Sequence, residues 1–222
     1  MYNTNTFLTS LLFTLILSLP FQHTFSQSYV GLTFGANRAG FTYNHKNDQA
    51  GYHLKSKKPK FGFMAGLTGI AKIENTIASL KFDINYNRIN SFIDYHYSQR
   101  IVSFTDSARL HFNFIDLSLS LDLAIEKKLG IHYFIGFQNH INFLSTATTI
   151  GTKKNITRDC NQISAGLFTG FRVLFNTKFL PKCKILTDIS YFYDFYEIYH
   201  VFHLNGFYAN AGVVYTLPFK IF

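Results

Sequence analysis

Eight stretches of this chain alternate apolar and non-apolar side chains with a period of two, each for about ten to fifteen residues. Period two is the signature of a strand whose faces meet different surroundings. Strands of globular proteins average five or six residues, whereas a tilted strand needs nine to eleven to cross a bilayer. The stretches are 28–37, 60–71, 76–88, 110–123, 130–144, 161–175, 184–196 and 206–222. The third is the plainest: Ala78, Leu80, Phe82, Ile84 and Tyr86 oppose Ser79, Lys81, Asp83, Asn85 and Asn87. In the fourth, Ile115, Leu117, Leu119 and Leu121 oppose Asp116, Ser118, Ser120 and Asp122. Eight is an even number, as closure of a bacterial membrane barrel requires. The pattern predicts an all-β fold: an eight-stranded antiparallel up-and-down transmembrane β-barrel.

The connections alternate too. Those after the first, third and fifth stretches (38–59, 89–109 and 145–160) are long and polar, and the one after the seventh has about nine residues. Those after the second, fourth and sixth (72–75, 124–129 and 176–183) are short. Long outer loops and short periplasmic turns are the asymmetry of outer-membrane barrels, which places both termini in the periplasm.

Composition removes the competing classes. Charged residues are 15% of the 222, against roughly 25% in soluble domains, while aromatics reach 18%. So apolar a chain of modest net charge is not disordered, and two cysteines do not make a disulfide scaffold. Only one apolar run is long, Phe7 to Leu19, and it opens the chain. Followed by Pro20 and the small-residue site Thr24-Phe25-Ser26, it predicts a signal peptide over residues 1–26 and a single barrel domain over 27–222. An uncleaved anchor helix is the other reading, but thirteen apolar residues are short for a hydrocarbon core of roughly 30 Å.

Alternation alone does not say which face is outside. A soluble lipocalin-like barrel would turn its apolar face inward to bind an apolar ligand. The membrane arrangement is favoured by aromatics near the ends of the apolar faces. Phe61, Tyr86, Phe195 and Phe207 fall at one rim, and Tyr133, Phe175, Tyr215 and Phe219 at the other. The opposite faces are rich in Gly, Ser and Asn, which suit a narrow, filled lumen.

The lumen then receives Lys81, Asp83, Asp116, Asp122, Arg172, Asp188, Asp194 and Lys220. Hairpin register places Lys81 beside Asp116 and Arg172 beside Asp188. Such charges form an ion path, a gated plug or a structural core of ion pairs. In a lumen only wide enough for side chains, the ion-pair core is expected.

The outer side is basic. Arg38, Lys46, Lys55, Lys57, Lys58 and Lys60 lie in or beside the first long connection against the single acid Asp48, and Arg100, Arg109, Lys153, Lys154 and Arg158 add to them. These can neutralise lipopolysaccharide phosphates or capture an acidic ligand. No nucleic-acid motif accompanies them, so nucleic acid is not an expected partner. His96-Tyr97-Ser98 looks superficially like the His-x-Ser of outer-membrane deacylases but falls in an expected loop, and carries little weight. His111, His140, His200 and His203 fall near the outer rim, where hydrogen bonding is a commoner role than metal ligation. No catalytic residue, metal or cofactor is expected. Cys160 and Cys183 fall at opposite ends of their strands, too far apart for a disulfide, and are expected as free thiols.

The chain resembles the PorT-family outer-membrane β-barrel proteins of Bacteroidetes, similar in architecture to the small OmpX and OmpA barrels. The resemblance lies in the leader ending Phe25-Ser26, the first-strand run Gly31-Leu32-Thr33-Phe34-Gly35-Ala36-Asn37, Phe61-Gly62-Phe63-Met64-Ala65-Gly66, and the terminal Phe222. It implies insertion by the β-barrel assembly machinery and residence in the outer membrane. A role in secretion is not carried over. The function expected is a non-enzymatic integral outer-membrane barrel, structural or surface-binding through its basic loops. A lipid A-modifying enzyme and a soluble ligand-binding barrel are the alternatives.

Overall fold

The computed structural model describes residues 25–43, 52–99, 102–126, 130–149, 152–177, 179–199 and 202–217. The leader expected over 1–26 therefore falls almost wholly outside the described residues, as do Phe219, Lys220 and Phe222. The strands are β1 (Phe25–Tyr43), β2 (Tyr52–Ile73), β3 (Ala78–Gln99), β4 (Val102–Glu126), β5 (Ile131–Thr149), β6 (Thr152–Asn155), β7 (Ile163–Asn176), β8 (Cys183–Tyr199) and β9 (Phe202–Thr216). Eight of them close a barrel in which each strand pairs antiparallel with its neighbours in sequence and β1 pairs with β9. The short β6 extends the barrel by pairing only with the end of β5.

Most strands outrun the alternating stretches, by the most at the end remote from the termini. Pairing of β3 with β4 continues without a break to Gln99↔Val102, through residues expected as a loop. Once register is set lower in the barrel, each further residue adds ladder hydrogen bonds, and Ile89, Phe92, Ile93, Tyr95 and Tyr97 are strand formers. The alternation fades there because neither face is committed to lipid.

At the end bearing the termini the turns are tight. Asn75 adopts a positive φ of 57°, and the Thr76 hydroxyl accepts a hydrogen bond from the Ala78 amide at 3.1 Å. Gly130, with φ of 63°, ends the connection from β4 to β5, and its carbonyl accepts the Leu174 amide at 3.0 Å.

Outside, the wall is apolar: Leu32, Phe34, Phe63, Leu67, Phe171, Ile189, Phe207 and Val213 are all exposed. Inside, Asn37, Asn87, Asp116, Ser145, Arg172 and Asp194 are 0–1% exposed. This is the inverse of a soluble barrel, so the lipocalin-like arrangement is excluded and the apolar wall faces lipid. A bulge pairs Asn113 with Leu144 and Phe114 with Asn142. It turns both Phe143 and Leu144 outward, 49% and 41% exposed.

The lumen is filled in tiers. Toward the remote end lies an apolar tier including Ile89, Leu110, Phe112, Phe114, Phe168, Phe192 and Leu204. A polar tier lies in the middle, and Tyr29, Ile70, Leu186 and Val214 fill the end nearer the termini.

Candidate functional site

Two groups of buried charges form the polar tier. Arg172 on β7 stands directly opposite Asp188 on β8, with Nε 3.5 Å from Asp188 Oδ2. Its Nη1 donates to Asp122 Oδ2, and the guanidinium lies 4.5 Å above the Phe134 ring. Lys81 reaches Asp83 at 2.9 Å and Asp188 at 3.5 Å. The carboxylates have further donors: Ser118 to Asp83 (3.1 Å), Ser120 to Asp122 (3.0 Å) and Asn210 to Asp188 (2.8 Å).

The expected neighbour of Lys81 is corrected by register. Lys81 faces Ser120, and Asp116 faces Asn85 on one side and His140 on the other. The actual offset between β3 and β4 shifts the partner by four residues. Lys81 instead reaches Asp188 across the lumen, a contact that strand-neighbour reasoning does not consider.

The second group centres on His140, which lies deep in the lumen and not near the rim. Its Nδ1 is 2.6 Å from Asp116 Oδ1 and its Nε2 is 3.2 Å from Asp194 Oδ1. Asn87 and Gln138 donate to Asp116 Oδ2 at 2.6 and 3.0 Å, and Ser164 donates to Asp194 at 2.6 Å. The imidazole packs against the rings of Phe114 and Phe192, at 5.2 and 5.8 Å between centroids, and Tyr208 stacks on Phe192 at 4.3 Å. Asn87 also donates to the Tyr208 hydroxyl at 3.0 Å, which ties the polar tier to the aromatic one.

A cavity of about 20 Å³ lies among Lys81, Asp83, Arg172, Asp188, Tyr208 and Asn210, room for about one water molecule. Buried oxygens Asp83 Oδ1 and Asn210 Oδ1, on residues that line it, have no protein partner. No group of three or more His, Cys, Asp or Glu side chains among the described residues is arranged to hold a metal.

Sequence reasoning missed the aromatic lining. Phe112, Phe114, Phe134, Phe168, Phe192 and Tyr208 all point inward, on the same strand parity as the polar residues assigned there. The parity signal was available. The inward face itself turns apolar toward the remote end.

At that end, Lys58 and Lys60 are exposed on β2, and Arg38 on β1 lies 5.8 Å above Phe61. The connection expected over 38–59 is thus largely strand. Lys46 lies outside the described residues, and Lys55 and Lys57 belong to β2 with side chains outside the described set. His111 Nδ1 lies 2.7 Å from Asn90 Oδ1. His203 stacks on Tyr193 at 6.3 Å. His200 and the side chains of His96 and Ser98 lie outside the described residues. Cys160 is a buried free thiol after a short 3-10 turn (Thr157–Asp159), and Cys183 is a half-buried free thiol at the start of β8.

Residues 22–193 match the family model described as outer membrane protein beta-barrel domain. Solved barrels share the outline at low identity. Neisserial surface protein A is 15% identical, with 85% of this chain and 96% of that one covered and a TM-score of 0.45. Ail of Yersinia pestis, solved in complex with the heparin analogue sucrose octasulfate, is 12% identical, with 86% and 99% covered and a TM-score of 0.43. OprG of Pseudomonas aeruginosa is 9% identical, with 88% and 97% covered and a TM-score of 0.45. No curated protein sequence matches the chain.

Proposed function

Because the chain belongs to the outer membrane protein beta-barrel domain family, we propose that it is a non-enzymatic, non-conducting barrel of the cell outer membrane with a structural and surface-binding role. The observation that carries this reading is the filled lumen. Conduction needs a continuous wet path, and here an apolar tier of packed rings (Phe112 on Phe114 at 6.0 Å, Phe192 on Tyr208 at 4.3 Å) stands above the ion-pair tier. The buried charges are held by one another and by neutral donors, the arrangement of a structural core.

Tight turns at the terminal end and long hairpins at the other support an orientation with both termini in the periplasm. The basic end then lies at the cell surface, among lipopolysaccharide. Within the family, the first-strand run Gly31–Asn37 supports a PorT-type member, inserted by the β-barrel assembly machinery after removal of its leader.

The test has two arms. Purified barrel reconstituted in planar bilayers is expected to give no conductance steps, and steps scaling with protein would overturn the non-conducting reading. The lipid A mass spectrum of a deletion strain is expected to match its parent, and a lost or gained acyl chain would make the protein an enzyme.

A further inference from the structure

Several of the basic residues expected in or beside the long outer connections belong to the barrel wall. Register aligns Lys58 with Phe92, Phe92 with Arg109, Arg109 with Thr148, and Thr148 with Lys153, one rung across β2, β3, β4, β5 and β6. Directly opposed residues share a face, and Ser91, Ala108 and Leu110, on the other parity, are buried in the lumen. The rung therefore points outward. The next rung down places Lys60 beside Asn90 and Asn90 beside His111, with Arg88 below. Neither rung holds an Asp or Glu among the described residues; Asp94, one rung further out, accepts a hydrogen bond from Ser107 at 2.6 Å, and the exposed Asp159 lies 4.0 Å from Lys154.

Immediately below these rungs the wall becomes apolar and aromatic. Phe63 meets Tyr86 at 5.6 Å and Tyr86 meets Phe143 at 6.1 Å between ring centroids, and the Tyr86 hydroxyl donates to Asn113 at 2.7 Å. This is the edge of the lipid-facing belt, with aromatics at the level of the headgroups. A cationic shelf thus stands directly above the hydrocarbon. With strands about 4.8 Å apart, five strands make it roughly 19 Å wide. It is confined to one side, since β7, β8 and β9 carry no Lys or Arg on their outward faces in this half among the described residues.

We propose that the outward rungs of β2–β6, through Lys58, Lys60, Arg88, Arg109 and Lys153, form a binding site on the barrel wall for the phosphate groups of a glycolipid of the outer leaflet. The acyl chains of such a lipid lie against the apolar wall below while its phosphates meet the shelf, so chain contact and charge-assisted hydrogen bonds act together. Loop-tip cations contact soluble ligands, whereas this shelf contacts only molecules already in the membrane. The site rests on the orientation given above, with the basic end at the cell surface.

Native mass spectrometry of the folded, detergent-extracted barrel tests it, with bisphosphorylated lipid A and its chemically dephosphorylated form as probes. Wild type is expected to retain the phosphorylated lipid in preference to the dephosphorylated one. R109Q/K153Q is expected to weaken retention about tenfold. K72Q/K182Q, which removes the same charge at the opposite end, is expected to leave it unchanged. Equal retention of the two lipids, or no effect of R109Q/K153Q in a barrel that still shows its heat-dependent gel shift, overturns the proposal. Displacement by an equal concentration of inorganic phosphate would make the shelf a site for free anions and overturn the glycolipid assignment. The conductance assay is independent, since a closed barrel can fail to bind the lipid and an open one can bind it.

Discussion

His140 and Asp116 face each other across the β4–β5 ladder, with Nδ1 2.6 Å from Oδ1 at the boundary between the aromatic and polar tiers. Asp194 approaches the other ring nitrogen, so one imidazole serves two buried carboxylates. H140L removes the group that both share. Stability is expected to fall by about 2–4 kcal/mol, read as a lower temperature for the heat-dependent gel transition. Adding D116N to H140L is expected to recover part of the loss by removing one stranded charge.

Arg172 is the more severe case. R172M leaves Asp122 without a cation and Asp188 with Lys81 alone, which it shares with Asp83. A loss of about 3–5 kcal/mol is expected. An unchanged thermal transition would show that the lumen does not depend on this pairing. R172K is expected to fall between, since an ammonium does not reproduce the planar fork.

Gly170 is a question of space. A Cβ there would collide with the Ile189 carbonyl and stand 2.9 Å from the ring of Phe134, on which Arg172 rests. G170V is expected to lower folded yield and stability by about 1–3 kcal/mol. Gly69 is the control: the nearest atom to an added Cβ is the Phe82 carbonyl oxygen at 4.0 Å. G69A should fold as wild type does in the same gel assay.

The thiols should differ. Burial pushes the Cys160 pKa up from about 9.0 to about 11. At pH 8 a maleimide is expected to label Cys183 in the folded barrel well before Cys160, with both labelled equally after boiling in SDS. The unfolded chain ionises this thiol first as pH rises, so it binds fewer protons than the folded state. Stability should therefore decline between about pH 9 and 11. C160S is expected to flatten that part of the profile.

How far the sequence could be read differs by face. The outward residues obey one demand, contact with hydrocarbon, so Ile84, Leu117, Phe137 and Phe207 were assignable by parity alone. The inward residues obey a different one, complementarity with whatever crosses the lumen. Parity placed Lys81, Asp83 and Arg172 inside, but the contact of Lys81 with Asp188 joins residues 107 apart on strands that are not neighbours. Likewise, Phe192 meets His140 across the lumen, on strands separated by β7. Beyond the hydrocarbon the outward face meets headgroups and water, so the alternation that marks a strand fades although the strand itself continues.

The number of barrel strands, the alternation of faces and the set of charges on the inward parity are legible along the chain, because lipid imposes a period of two that local side-chain chemistry must match. Which charges meet, the aromatic tier across the lumen and the alignment of Lys58, Arg109 and Lys153 on one outward rung emerge from the folded barrel. Those depend on register between strands and on closure of the ring, which join residues by geometry that spacing along the chain does not encode.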